Sequence, residues 1–120
     1  MPHSSSLFDD QIHQIISTSD YRTFLDIGAG AGKYGRMVRD LKPDTTIDAI
    51  EAHGPYCDQF KLTTIYNRLY NQDVTDLYDV FLDKPYDCVI IGDCIEHLRK
   101  SQGVDLLNFW YYRAKTIIVH

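Results

Sequence analysis

Apolar and polar positions along this chain switch period several times, and each switch marks an element. Leu7, Phe8, Ile12, Ile15 and Ile16 recur at helical spacing, which predicts a helix over about 7–18 packed on a sheet. Ser6 can cap its start, with Asp9 three residues later. His13 falls on the surface of that helix. Phe24, Leu25 and Ile27 then read as a short buried strand over 23–28. Tyr34, Met37, Val38 and Leu41 return to helical spacing and predict a helix over 33–42, stopped by Pro43.

The pattern continues as alternating strands and helices. A second strand spans 46–51 and ends on Glu51. Tyr56, Cys57 and Phe60 suggest a short helix. A third strand covers 67–71, and a short helix about 76–82 ends at Lys84-Pro85. The run from Tyr86 to Asp93 is almost continuously apolar, as a central parallel strand covered on both faces would be. A helix over about 103–114 carries Leu106, Leu107, Phe109, Trp110, Tyr111 and Tyr112, read as core and sheet cover. A fifth strand occupies 116–120. Strand–helix alternation predicts an α/β fold: a three-layer α/β/α sandwich on a parallel, Rossmann-like sheet.

Composition narrows the class. The chain has 120 residues, one domain over 1–120 by size, with residues 1–6 expected to be disordered. It is 44% hydrophobic and 24% charged, as soluble domains are. No apolar run approaches a membrane span, and the N-terminus lacks the pattern of a secretory signal. A formal net charge of −5 argues against a general nucleic-acid binder. Cys57, Cys88 and Cys94 are odd in number and have no C-x-x-C spacing. They read as reduced, packed thiols in a cytoplasmic protein, and no paired motif suggests zinc or another metal.

Candidate chemistry centres on the junction of the first strand and the second helix. Gly28, Gly30 and Gly32 stand at alternate positions after Asp26. Glycine admits positive φ and close approach of a ligand to the main chain. The dinucleotide fingerprint G-x-G-x-x-G would need a third glycine at position 33, which is Lys33. Lys33, Arg36 and Arg39 on the helix form a solvated face or bind substrate. Glu51, at the carboxyl end of the second strand, either meets ribose hydroxyls or caps a helix, with Asp48 the weaker ribose candidate. Asp73 either accepts from an exocyclic amine, with the Val74 N–H serving a ring nitrogen, or is a turn residue.

Asp26-x-Gly28-x-Gly30-x-Gly32 resembles motif I of the class I S-adenosylmethionine (SAM)-dependent methyltransferases. Asp93-Cys-Ile-Glu96-His97-Leu98 is similar to their motif IV. The resemblance covers roughly residues 21–120. It implies a sheet ordered 3-2-1-4-5 with SAM as cofactor. Asp26 and the loop Gly28, Ala29, Gly30 and Gly32 would hold the methionine part. Glu51 would hold ribose, Asp73 and Val74 adenine, and Asp93 would lie beside the methionyl amine. Glu96 and His97 either brace the following helix or supply a base, His97 being the better candidate. No Asn-Pro-Pro-Tyr or Asp-Pro-Pro-Tyr tetrad follows the fourth strand, and no proline precedes Cys94, which disfavours DNA-base chemistry.

The implied function is methyl transfer to a small-molecule acceptor. Two alternatives stay open: a non-catalytic module of the same fold with a regulatory or scaffolding role, and a nicotinamide-dependent oxidoreductase. The family sheet has seven strands, so the chain is expected to lack the last two, as part of a longer protein or with its fifth strand covered by self-association into a homo-oligomer.

Overall fold

The computed structural model describes residues 6–92 and 94–120, and of Glu96 the backbone alone. Five strands form one parallel sheet: β1 (Thr23–Ile27), β2 (Thr46–Ile50), β3 (Arg68–Tyr70), β4 (Tyr86–Ile91) and β5 (Ala114–Val119). Their order is β3-β2-β1-β4-β5, as expected. The helices are α1 (Asp9–Thr18), α2 (Lys33–Leu41), α3 (Gly54–Gln59) and α4 (Lys100–Tyr111). Among the described residues no helix is long and apolar enough to cross a membrane.

Side chains alternate between the two faces of each strand, and the core divides accordingly. Phe24, Ile47, Ala49, Cys88 and Ile90 join α1 and α2 on one face. Leu25, Ile27, Val89 and Ile91 join Leu106 and Trp110 of α4 on the other. Both faces of β1 and β4 are therefore dry, which explains their unbroken apolar runs.

Two helices differ from the sequence expectation. The first starts at Asp9, because Phe8 occupies the cap position without a side-chain bond and Ser6 offers only its carbonyl, 3.2 Å from the Asp9 nitrogen. Leu7 and Phe8 are exposed rather than packed. The helix carrying Trp110 spans 100–111 rather than 103–114. Gln102 accepts from the Arg99 N–H at 3.0 Å and so fixes an earlier start. Trp110 and Leu106 are buried as core, whereas Tyr111 and Tyr112 lie outside the helix's packed face and are exposed.

The helix expected at 76–82 is absent. A 3-10 turn over Val74–Asp76 and a run of tight turns replace it. The Asp73 carboxylate accepts from the Thr75 N–H at 2.9 Å, which starts a tight turn. The next bonds, Val80 N–H to Leu77 and Lys84 N–H to Phe81, keep mostly to three-residue spacing until Pro85. Leu77 and Phe81 still reach the core. The strands β3, β4 and β5 also run shorter or earlier than expected, β4 ending at Ile91 and β5 beginning at Ala114.

The cations of α2 are exposed or half-buried, as a solvated face would be, and each is also held by specific partners. Lys33 pairs with Asp9 of α1 at 3.1 Å. Arg36 donates to the carbonyls of Ala31 and, at 3.1 Å, Phe60. Arg39 donates to the carbonyls of Ile65 at 2.8 Å and Thr45 at 2.7 Å, and to the Asn67 side chain. These planar forks lace the glycine loop and the β2–β3 connection onto α2. His13 is exposed, as expected.

Candidate functional site

A cleft of about 350 Å³ opens at the carboxyl ends of β1 and β2. That size suits a nucleoside-sized ligand, and the position is where open parallel sheets bind ligands. Its floor is the loop that follows β1. Gly28, Gly30 and Gly32 all have positive φ, at 77°, 56° and 83°. A Cβ on Gly28 would lie 2.9 Å from the Cβ of Cys94, so the β1 and β4 loops touch there through bare backbone. The Gly28 N–H donates to the Ile50 carbonyl at 2.8 Å and fixes the loop against β2.

Glu51 is the organising acid of the cleft. It is buried, and each carboxylate oxygen takes one backbone N–H: Oε1 from Gly30 at 2.6 Å, Oε2 from His53 at 2.9 Å. An ionised carboxylate has about four acceptor positions, so two remain for donors in the cleft. Asn71 donates to the Glu51 carbonyl at 2.8 Å and steadies the strand end. Across the cleft, Asp73 caps the 3-10 turn, and its Oδ1 accepts from the N–H and hydroxyl of Thr75. Val74 follows it and is buried.

The cleft brings together Gly28, Gly30, Glu51, Asp73, Val74 and His97. Asp26, Ala29 and Gly32 do not line it. Ala29 is buried behind the loop, and Gly32 sits at the N-terminus of α2, where a Cβ would meet Ile65 at 2.8 Å. Asp26 lies beneath the loop, 1% exposed, and accepts from the Tyr66 hydroxyl at 2.5 Å. Burial, reinforced by the Glu51 charge and partly offset by that hydrogen bond, pushes its carboxyl up to about 7. Asp48 serves the fold: it accepts from the Tyr86 hydroxyl at 2.7 Å and the Arg68 N–H at 3.1 Å. Asp93 and the side chain of Glu96 lie outside the described residues.

Some of the lining was not singled out from sequence. His53 and Tyr56 form one wall, their rings 4.2 Å apart and edge to face. Tyr56 is legible from sequence only as part of a short helix, α3, which has Pro55 in its first turn. Gln72 and Leu98 complete the rim. Tyr66 carried no local signal, being distant in sequence from Asp26. Among the described residues no lysine or arginine lines the cleft. The loop N–H groups of Gly28, Ala29, Gly30 and Gly32 are already taken, by the Ile50 carbonyl, the Glu51 carboxylate and the Ala29 carbonyl.

The three-dimensional comparison bears on this architecture. The fold is that of solved methyltransferases. A caffeoyl-CoA O-methyltransferase candidate from Staphylococcus aureus superposes with a TM-score of 0.74 at 18% identity, over 94% of this chain and 55% of its own. The O-methyltransferase TomG of Streptomyces achromogenes, from tomaymycin synthesis and solved with SAM, gives 0.68 at 16%, over 98% and 56%. The plantazolicin methyltransferase BamL, solved with a triazolic desmethylplantazolicin analogue and SAH (S-adenosylhomocysteine), gives 0.72 at 14%, over 92% and 42%. This chain thus spans about half the length of the solved methyltransferases it resembles, or less. No protein-family model matches the sequence, and no curated protein matches it either.

Within this methyltransferase fold, the thiol at the cleft is poorly suited to attack. Cys94 is half-buried, and burial together with the Asp26 charge pushes it up to about 12. Its Sγ lies 3.8 Å from the Ile27 carbonyl. At neutral pH it is a packed thiol, not a thiolate nucleophile.

Proposed function

We propose that the chain is the cofactor-binding portion of a SAM-dependent methyltransferase acting on a small molecule. The observation that carries this reading is a cleft whose polar chemistry is acidic and acceptor-rich. Glu51 has spare lone pairs for two ribose hydroxyls, and Asp73 with the Val74 N–H offers an acceptor and a donor for adenine. Among the described residues no lysine or arginine lines the cleft, which suits a ligand with an ammonium and a sulfonium better than a dinucleotide. Solved neighbours of the same fold hold SAM or SAH, which supports the same assignment.

When bound, SAM supplies an electrophilic methyl group on a positively charged sulfur. The residues of this chain contribute position and protonation. Glu51 orients the nucleoside while pinning the Gly30 loop, so binding and loop geometry are one device. The glycine floor lets the ligand lie against backbone. His97 is at the exposed rim of the cleft, where a neutral imidazole can take a proton from an acceptor hydroxyl or amine. Glu96, its neighbour in the sequence, is the second candidate base. Asp93 is assigned beside the methionyl amine by the motif alone.

Calorimetric titration with SAM, SAH and NAD tests the proposal. SAM and SAH should each bind one-to-one and NAD should not. Binding of NAD alone would overturn the reading. Saturable SAM binding without turnover on any acceptor would place the chain as a cofactor-holding module.

A further inference from the structure

The acid beneath the glycine loop has a chemistry of its own. Asp26 sits in the middle strand of the sheet, paired with Ala49 on one side and Ile90 on the other. It is buried, yet it lies one residue before the end of β1, and the cleft floor begins two residues after it at Gly28. Its hydrogen-bond donor is the phenol of Tyr66, itself buried and wedged against α2: a Cβ on Gly35 would lie 2.5 Å from the Tyr66 ring. The glycine at position 35 therefore exists to admit that ring.

We propose, resting on the reading of the cleft as a SAM site, that the Asp26–Tyr66 pair is a proton-linked charge sensor that favours the sulfonium cofactor over its thioether product. A buried carboxylate with one phenol donor and a second carboxylate nearby is reluctant to ionise. A positive sulfur placed over the loop removes that reluctance, because unit charges attract strongly through a dry protein layer. Asp26 then releases its proton to solvent as the cation enters. The product keeps the same amine and carboxylate but has lost the positive sulfur, so it gains no such help. Methyl transfer would thus return a proton to Asp26 and loosen the product.

Among the described residues two groups act on the Asp26 carboxyl in opposite senses, and the Tyr66 hydrogen bond lowers its proton affinity. Glu51, after β2, raises its proton affinity. The thiols of Cys88 on β4 and Cys94 after it both feel its charge and are held protonated, each pushed up to about 12, chiefly by burial. Tyr66 is held neutral by burial and by Asp26, and the positive charge of Arg36 acts on Tyr66 in the opposite sense. An Asp26 carboxyl near 7 therefore has a neutral form to give up in the physiological range. If the cation lowers it by about one unit, SAM affinity should rise roughly five-fold from about pH 6 to about pH 8, with about half a proton released per ligand near pH 6.5.

Calorimetry on the 120-residue chain, in two buffers of different ionisation enthalpy, reads that proton directly. SAM should release about half a proton more than SAH near pH 6.5, their shared amine cancelling in the difference. Asp26→Asn should abolish the excess. Tyr66→Phe removes a donor that favours the ionised carboxylate, so the release maximum should move to higher pH; a phenol that merely fills space would leave it in place. Equal proton release for SAM and SAH in the unaltered protein would overturn the sensor while leaving the SAM site intact. An unmoved maximum in Tyr66→Phe would overturn the pairing. Failure of both ligands to bind would overturn the site and the sensor together.

Discussion

Replacing Gly28 by alanine should cost the fold about 3 kcal/mol and weaken SAM binding at least ten-fold. Two effects combine. At φ 77° an L-residue carries a left-handed penalty of roughly 1–2 kcal/mol. The new methyl would also meet the Cys94 Cβ at 2.9 Å, and a Cβ cannot swing aside as a side-chain tip can. Forced overpacking of that kind typically costs about 1–3 kcal/mol. The displaced loop carries the Gly30 N–H that holds Glu51, so the binding loss follows from the same movement. Urea unfolding of Gly28→Ala, Cys94→Gly and the double variant separates the two effects. The double variant should regain the steric part, a coupling of about 1–2 kcal/mol, and keep the backbone part. No coupling would mean that the β1 and β4 loops do not touch at that point.

Trp110→Ala should be the most destabilising single change, by about 3–5 kcal/mol. Trp110 is 1% exposed on the inner face of α4 and packs edge to face against Phe81 at 5.7 Å, Tyr86 at 5.8 Å and Phe109 at 5.0 Å. Its removal opens a hole shared by α4, β4 and the turns around Phe81. A domain of this size is stable by only about 5–15 kcal/mol, so the variant should unfold at far lower urea. Tyr112→Ala is the contrast: Tyr112 is 83% exposed, and its loss should stay within about 0.5 kcal/mol. Equal effects at the two positions would contradict the core assignment.

What was legible beforehand divides along physical lines. The β1–loop–α2 unit was readable because period, glycines and Pro43 act locally and agree. Sheet order followed from the family resemblance, and the parallel character of β4 from an apolar run too continuous for one-sided burial. The ends of α4 were not readable, because Gln102 caps through its side chain and the aromatic run continues past the packed turn. The segment after Asp73 departs from its helical spacing because one carboxylate–backbone bond starts a 3-10 turn there. On α2, a run of exposed-looking cations proved to be clasps, since guanidinium groups find carbonyls that no local pattern announces.

The site shows the same division. Glu51 and Asp73 lie at strand or turn ends, where topology alone aims them at one cleft. Asp26 was legible as a residue but not in its setting. Only the fold brings Tyr66 to it, across a gap that α2 narrows by offering Gly35. The His53–Tyr56 wall depends on how α3 starts, and helix starts are among the least readable features of a chain.

The most direct measurement is a crystal structure of this chain soaked with SAH. Both ribose hydroxyls should lie within hydrogen-bond distance of the Glu51 carboxylate, with the adenine amine at Asp73 and a ring nitrogen at the Val74 N–H. A nucleoside bound elsewhere, or seated in the cleft with its ribose turned away from Glu51, would contradict the assignment of the cleft.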